Sequence, residues 1–298
     1  MTLATEASTP DRLEQAAVPQ DAIVAILHYK KFVYLGAVSP DLSYLKLTGN
    51  GHRWADKMHY ESTGEIMKSL ARKVRSEPEH EIRNKKLAWL LGYTLHVVGD
   101  TTIHPVVRLK VGEYDQNKTA HRTCEMHQDA HIFPRLNVGS VGLGNFIGST
   151  ICTCTDDGGN LDGAIRTLWE TALEECYPDE FSTNRPITNE WFKSFNEEVK
   201  FIGEMSLVPL ARHVCAGQGL AYPALTEIED QYIRGLKTPR NLLMSYDEIF
   251  DFAIHNVVSF WAVVSDYVIN GNESALGKIL NLNLDTGMDS EGVIRMWS

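Results

Sequence analysis

Residues 85–105 read KKLAWLLGYTLHVVGDTTIHP, and within them His96, Asp100 and His104 stand at intervals of four. On an α-helix these three side chains share one stripe. Almost every other residue of the stretch is apolar or small, which predicts a helix buried on nearly all sides. Pro105 disfavours helical geometry at His104 and is expected to end the helix there, leaving the stripe at an open end. Burying Asp100 without a partner costs on the order of several kcal/mol of lost solvation. A metal held by Asp100 and its histidine neighbours offsets that cost, and the two oxygens of one carboxylate can bridge two ions. The competing reading is a histidine and an aspartate that satisfy each other inside a core.

Downstream, residues 120–133 read AHRTCEMHQDAHIF and place His121 and Glu125 four apart on one helical face. One imidazole and one carboxylate form a borderline ligand set suited to zinc. Any solvated helix can show such a pair, so its weight comes from following the first cluster closely. Upstream, LGAVSPDLSYL (35–45) carries Asp41 just after a proline, in a turn or helix start where an N-cap is the simpler role. GHRWADKMHYES (51–62) carries His52 and His59, of which His59 is the preferred ligand.

The periodicity is helical almost everywhere, notably over 13–34, 62–75, 84–104, 161–177, 189–205 and 246–270, and strand alternation is nearly absent. Thr226 with Glu229, and Ser245 with Glu248, stand at capping-box spacing. The expected fold class is all-α, a multi-helical domain around a buried metal cluster. A Gly, Ser, Thr and Asp-rich stretch over 139–160 reads as a long loop between a metal-site half (1–138) and a second helical half (161–298), together one domain. Nine of the eleven histidines precede that loop, so the metal chemistry is assigned to the first half. Of the two later ones, His213 and His255, the latter lies on an apolar helix and reads as a core residue.

With 298 residues and 43% hydrophobic content the chain can build a large core. A formal charge of −11 argues against nonspecific nucleic-acid binding, although bound cations reverse the local sign within a pocket. The N-terminal twenty residues lack the basic start and apolar run of a secretory signal, so a cytoplasmic location is expected, with secretion left open if the chain starts further upstream. The apolar run 252–264 is too short and too interrupted to span a bilayer. Five cysteines form no dense framework, and the Cys152–Cys154 pair lacks a second pair at zinc-ribbon spacing.

In order, G-A-V-S-P-D-L, H-Y, L-H-V-V-G-D-x-x-x-H-P and H-x-x-x-E resemble the zinc-dependent phospholipase C family, over roughly residues 35–131. More distant relatives on the same fold are the fungal single-strand-specific nucleases. The resemblance implies that Asp41, His59, His96 and Asp100 hold one zinc, with Asp100 bridging to a second. It implies that His104, His121 and Glu125 hold another, within a set of two or three ions. The family's remaining zinc takes an N-terminal tryptophan and a histidine of the first helix. Here no tryptophan precedes Trp54 and the early histidine is His28, so either two ions suffice or His28 contributes by another route.

The chemistry so implied is attack of metal-bound hydroxide on phosphorus, with Asp41 as general base. The expected substrate is a phospholipid drawn from a transiently contacted membrane surface, cleaved to diacylglycerol and a phosphorylated headgroup. A single-strand nuclease-like phosphodiesterase is the enzymatic alternative. It would need stacking platforms, for which Trp54, Tyr60 and Tyr114 are available. A metal-binding relative without turnover is the third expectation.

Overall fold

The computed structural model describes residues 1–45, 51–137, 143–205 and 223–298. The first half contains α1 (Thr2–Ala7), α2 (Pro10–Gln15), α3 (Gln20–His28), α4 (Lys30–Val38), a 3-10 turn (Ser39–Leu45), α5 (Gly51–Tyr60), α6 (Thr63–Arg75), α7 (His80–Val111) and α8 (Tyr114–Ile132). Then follow α9 (Leu143–Ser149), α10 (Gly163–Cys176), α11 (Pro178–Thr183), α12 (Thr188–Met205) and α13 (Tyr246–Ser265). Among the described residues the strands are the two-residue β1 (Leu236–Lys237) and β2 (Leu243–Met244), paired antiparallel.

The 32-residue α7 is the axis of the molecule, with α3, α4, α6, α8 and α13 packed around it. Its middle, from Leu87 through Gly99, is buried without interruption. The pattern of residues 85–105 therefore does become an all-round buried helix. One contiguous apolar core runs from Ala4 to Trp297 and draws on residues before 138 and after 161 alike.

The tightest contact on that axis is between α4 and α7. A Cβ added to Gly36 would lie 2.1 Å from the Trp89 carbonyl oxygen, and one added to Gly92 would lie 2.1 Å from that of Val33. The two backbones thus touch with nothing between them. This crossing brings the end of α4 and the 3-10 turn onto the middle of α7, where Trp89 Nε1 donates to Ser39 Oγ.

Several sequence expectations shift in detail. The helix expected over 13–34 is three helices, because Ala17 takes φ +58°, Pro19 precedes the first residue of α3, and the chain bends by 83° between α3 and α4. Pro105 does not end α7, which continues to Val111 and stops at Gly112. The missing proline N–H leaves the Thr101 carbonyl without its helical donor, and tertiary packing covers the turn instead. Pro105 is buried, Trp297 Nε1 donates to the Thr102 carbonyl at 2.8 Å, and Gly287 closes over the turn. A Cβ on Gly287, at φ +67°, would lie 2.6 Å from the Thr101 oxygen and 2.8 Å from Pro105 Cγ.

The stretch expected as a loop over 139–160 contains α9, a 3-10 turn at Ile151–Thr153 and a bridge between Thr155 and Leu161, while 139–142 lie outside the described residues. Ser245 and Glu248 form their capping box; near Thr226 it is Glu227 that accepts from the Ala224 amide. The apolar run is longer than 252–264. Together with its π-helical end (266–270), α13 covers Tyr246–Asn270, long and apolar enough to cross a membrane by length and composition, but half of it is buried in this fold. His255 is exposed, not a core residue. His213 lies outside the described residues.

Because the α4–α7 contact is backbone on backbone, neither Gly36→Ala nor Gly92→Ala can be absorbed by a side chain rotating away. Each should cost about 2 kcal/mol or more in chemical denaturation. Gly148→Ala, which meets open space in α9, should be neutral or slightly stabilising. Equal stability of all three variants would contradict the crossing.

Candidate metal centre

Seven side chains singled out by their spacing or by motif order meet where α7 passes the 3-10 turn, α5 and α8. Asp41, His59 and His96 form one group whose donor atoms lie within 4.8 Å of one another, and His104, His121 and Glu125 form a second. Asp100 stands between them. Its Oδ2 is 3.2 Å from His96 Nε2, and its Oδ1 is 3.8 Å from His104 Nε2.

Three of the four imidazoles are oriented by the backbone on their far side, whereas His121 Nδ1 is buried without a hydrogen-bond partner. His59 Nδ1 lies 2.8 Å from the Ala55 carbonyl, His96 Nδ1 lies 3.1 Å from that of Ala37, and His104 Nδ1 lies 3.1 Å from that of Leu284. A carbonyl oxygen only accepts, so each Nδ1 must carry the proton and donate. In the neutral rings of these three, Nε2 then presents a lone pair to the centre.

The consequence is an excess of acceptors. His59 Nε2 and His96 Nε2 face each other at 3.3 Å, with Asp41 Oδ1 3.1 Å from the former. In the second group, His104 Nε2 and His121 Nε2 approach Glu125 Oε1 at 3.0 and 3.2 Å. Lone pairs so close repel unless a cation sits among them, whether protons or a metal ion. Two nitrogens and one carboxylate on each side, with a carboxylate between, form a donor set of the kind zinc takes. The residues present fit the metal.

The titration behaviour carries the same strain. Burial works against charge on His104, yet Asp100, Glu125 and Asp285 together raise its pKa to about 10. Desolvation works against the Glu125 carboxylate too, but His104 and His121 hold it well below the usual carboxylate range. His59 is likewise raised, because Asp41 and Asp100 overcome its burial. At the rim, the Tyr44 ring packs on His59 and the Tyr114 ring meets His121 edge-on, each with centroids about 5 Å apart.

Other candidates fall outside. His52 is exposed and packs on Tyr44, and His28 is exposed against Tyr29. Cys154 is buried, its thiol pushed up to about 12 by that burial, and donates to the Lys31 carbonyl. Trp54 offers no stacking platform: it is 1% exposed, and its Nε1 donates to the Asn184 carbonyl. The Tyr60 hydroxyl is engaged by Asp285 at 2.8 Å.

That aspartate is the residue sequence reasoning missed. Asp285 lies in the half assigned to packing, yet its Oδ1 is 3.8 Å from His104 Nδ1. No local spacing marks it, since its neighbours at the centre are far away in sequence.

A pH dependence follows for the metal-free chain. His104 is raised above its unfolded value, so its imidazolium stabilises the fold fully below about pH 6.5 and the contribution disappears as pH climbs through about 10. Glu125 is lowered, so its contribution is present above about pH 4.5 and lost as pH falls. Denaturant midpoints of the metal-free chain should therefore decline between about pH 7 and 10, and in His104→Ala that decline should shrink. A rise over the same interval would contradict the ion-pair geometry.

The family model of zinc-dependent phospholipase C matches residues 2–199, about two thirds of the chain and a span that includes all seven residues of the two groups and their bridge. No curated protein and no solved structure matches it. With its all-helical fold and its convergent donor set, the chain belongs to the zinc-dependent phospholipase C family and is a phosphoric diester hydrolase.

Proposed function

We propose that this chain cleaves a phospholipid to diacylglycerol and a phosphorylated headgroup. The observation that carries the reading is the pair of donor groups with Asp100 between them, one carboxylate oxygen toward each. In this reading Asp41, His59, His96 and Asp100 would hold one zinc, and His104, His121 and Glu125, with Asp100 shared, would hold a second. Zinc, when bound, supplies Lewis acidity and lowers the pKa of coordinated water to about 7.

The chain's own residues do the rest. Ala55, Ala37 and Leu284 hold the Nδ1 proton of three imidazoles on the far side of each ring, so Nε2 is the nitrogen left to face a cation, and on His104 it would do so by giving up its own proton. The side chain of Asp41 is 52% exposed, unlike its buried partners, and can reach a water molecule at the mouth of the site. It takes the proton from the attacking water as general base. Anionic phosphate meets no arginine among the seven residues, so its charge must be offset by the cations they hold. A transient encounter with a lipid surface follows from the insolubility of the substrate.

The nuclease reading loses support from Trp54, which is locked in the core. The non-catalytic reading is separated by assay. Zinc-loaded protein should release phosphorylated headgroup and diacylglycerol from phosphatidylcholine vesicles and leave single-stranded DNA intact. Asp41→Asn should lower kcat by about 10²–10⁴-fold. Asp100→Asn should lower both zinc content and turnover. Cleavage of the DNA in preference to lipid would establish the nuclease instead, and bound zinc without turnover on either substrate would mark a binding protein.

A further inference from the structure

The family match ends at residue 199, yet a segment far beyond it returns to the centre. Residues 281–288 lie as a strap across the start of α6 and the proline turn of α7. At one end Thr63 Oγ1 donates to the Leu282 carbonyl and accepts from the Leu282 amide, while the Gly64 and Glu65 amides donate to Asn281 Oδ1. At the other end Gly287 is seated against Thr101 and Pro105. Both anchors are specific, so the residues between them are held in place.

Between the anchors, Leu284 touches both groups of the centre. Its amide donates to the His59 carbonyl at 3.0 Å, and its carbonyl accepts from His104 Nδ1 at 3.1 Å. The next residue adds a charge. Asp285, 17% exposed, accepts from the Tyr60 hydroxyl through Oδ2 and turns Oδ1 toward His104 Nδ1. Glu125 and Asp100 face the opposite nitrogen of that ring, Nε2. A carboxylate behind Nδ1 cannot share an ion with Nε2, so any effect of Asp285 on a metal passes through the ring. The Tyr60 hydroxyl holds the carboxylate where it is.

We propose that Asp285 is a positioning residue for the second metal group, and that the 281–288 strap is a device outside the family-matched span which orients His104 and strengthens its hold on a divalent cation. The inference rests on the reading that His104, His121 and Glu125 hold zinc. Its physical basis is that negative charge behind the donating nitrogen makes an imidazole a stronger ligand and keeps its ring from turning. The strap thus links the strength of one metal group to a segment that the first 199 residues do not contain.

The test is competition for zinc alone between the full chain and a chromogenic chelator at neutral pH, with wild type, Asp285→Ala and Asp285→Asn. Asp285→Asn keeps the shape and an oxygen acceptor for Tyr60, so it separates loss of charge from loss of structure. Both variants should weaken one class of bound zinc by about 10–100-fold and leave the other within about twofold. Wild-type affinities in Asp285→Asn would overturn the proposal. So would equal weakening of both classes, which marks a general loss of structure. A wild-type chain that takes up no zinc would instead overturn the metal reading on which the proposal rests, so the two failures are told apart.

Discussion

Three backbone carbonyls govern this molecule. By accepting from Nδ1 of His59, His96 and His104, the carbonyls of Ala55, Ala37 and Leu284 turn each Nε2 lone pair inward, toward carboxylates that also only accept. A centre built from acceptors needs positive charge to be stable at close range. Protons on Nε2 can supply it, as the raised pKa of His104 indicates, and so can a divalent ion, and either leaves the Nδ1 hydrogen bonds behind the rings intact. The centre thus turns its acceptors inward, as the metal reading requires.

What aims those carbonyls is packing. The glycine contact between α4 and α7 brings Ala37 behind His96 and carries Asp41 to the same place, because the 3-10 turn directly follows α4. Ala55 lies one turn before His59 on α5, so that ring is braced within its own helix. Leu284 arrives from the far end of the chain. Core glycines, a helix and a returning strap therefore each brace one imidazole, and failure of any one would loosen a different part of the site.

The site was largely legible in the sequence because its residues sit on helices at intervals of four: His96, Asp100 and His104 on α7, His121 and Glu125 on α8. Asp41 and His59 were legible through motif order, which no periodicity supplies. Asp285 and Leu284 left no trace, since their contacts span 225 and 180 residues and lie in an irregular segment. The fold class was legible from the 3.6-residue period. Breaks and ends were harder: the 83° bend between α3 and α4 carries no proline or glycine signal at Tyr29, and the passage of α7 through Pro105 is supported by distant partners, Gly287 and Trp297. His255 misled for a related reason, since an apolar helix can still show one residue to solvent.

The central claim is that cations, not merely protons, belong among these acceptors. Crystals grown with zinc and measured on both sides of the zinc absorption edge test it directly. Anomalous peaks should appear amid Asp41, His59, His96 and Asp100, and amid His104, His121, Glu125 and Asp100. A folded chain without such peaks, its imidazoles bonded to the carboxylates alone, would contradict the account.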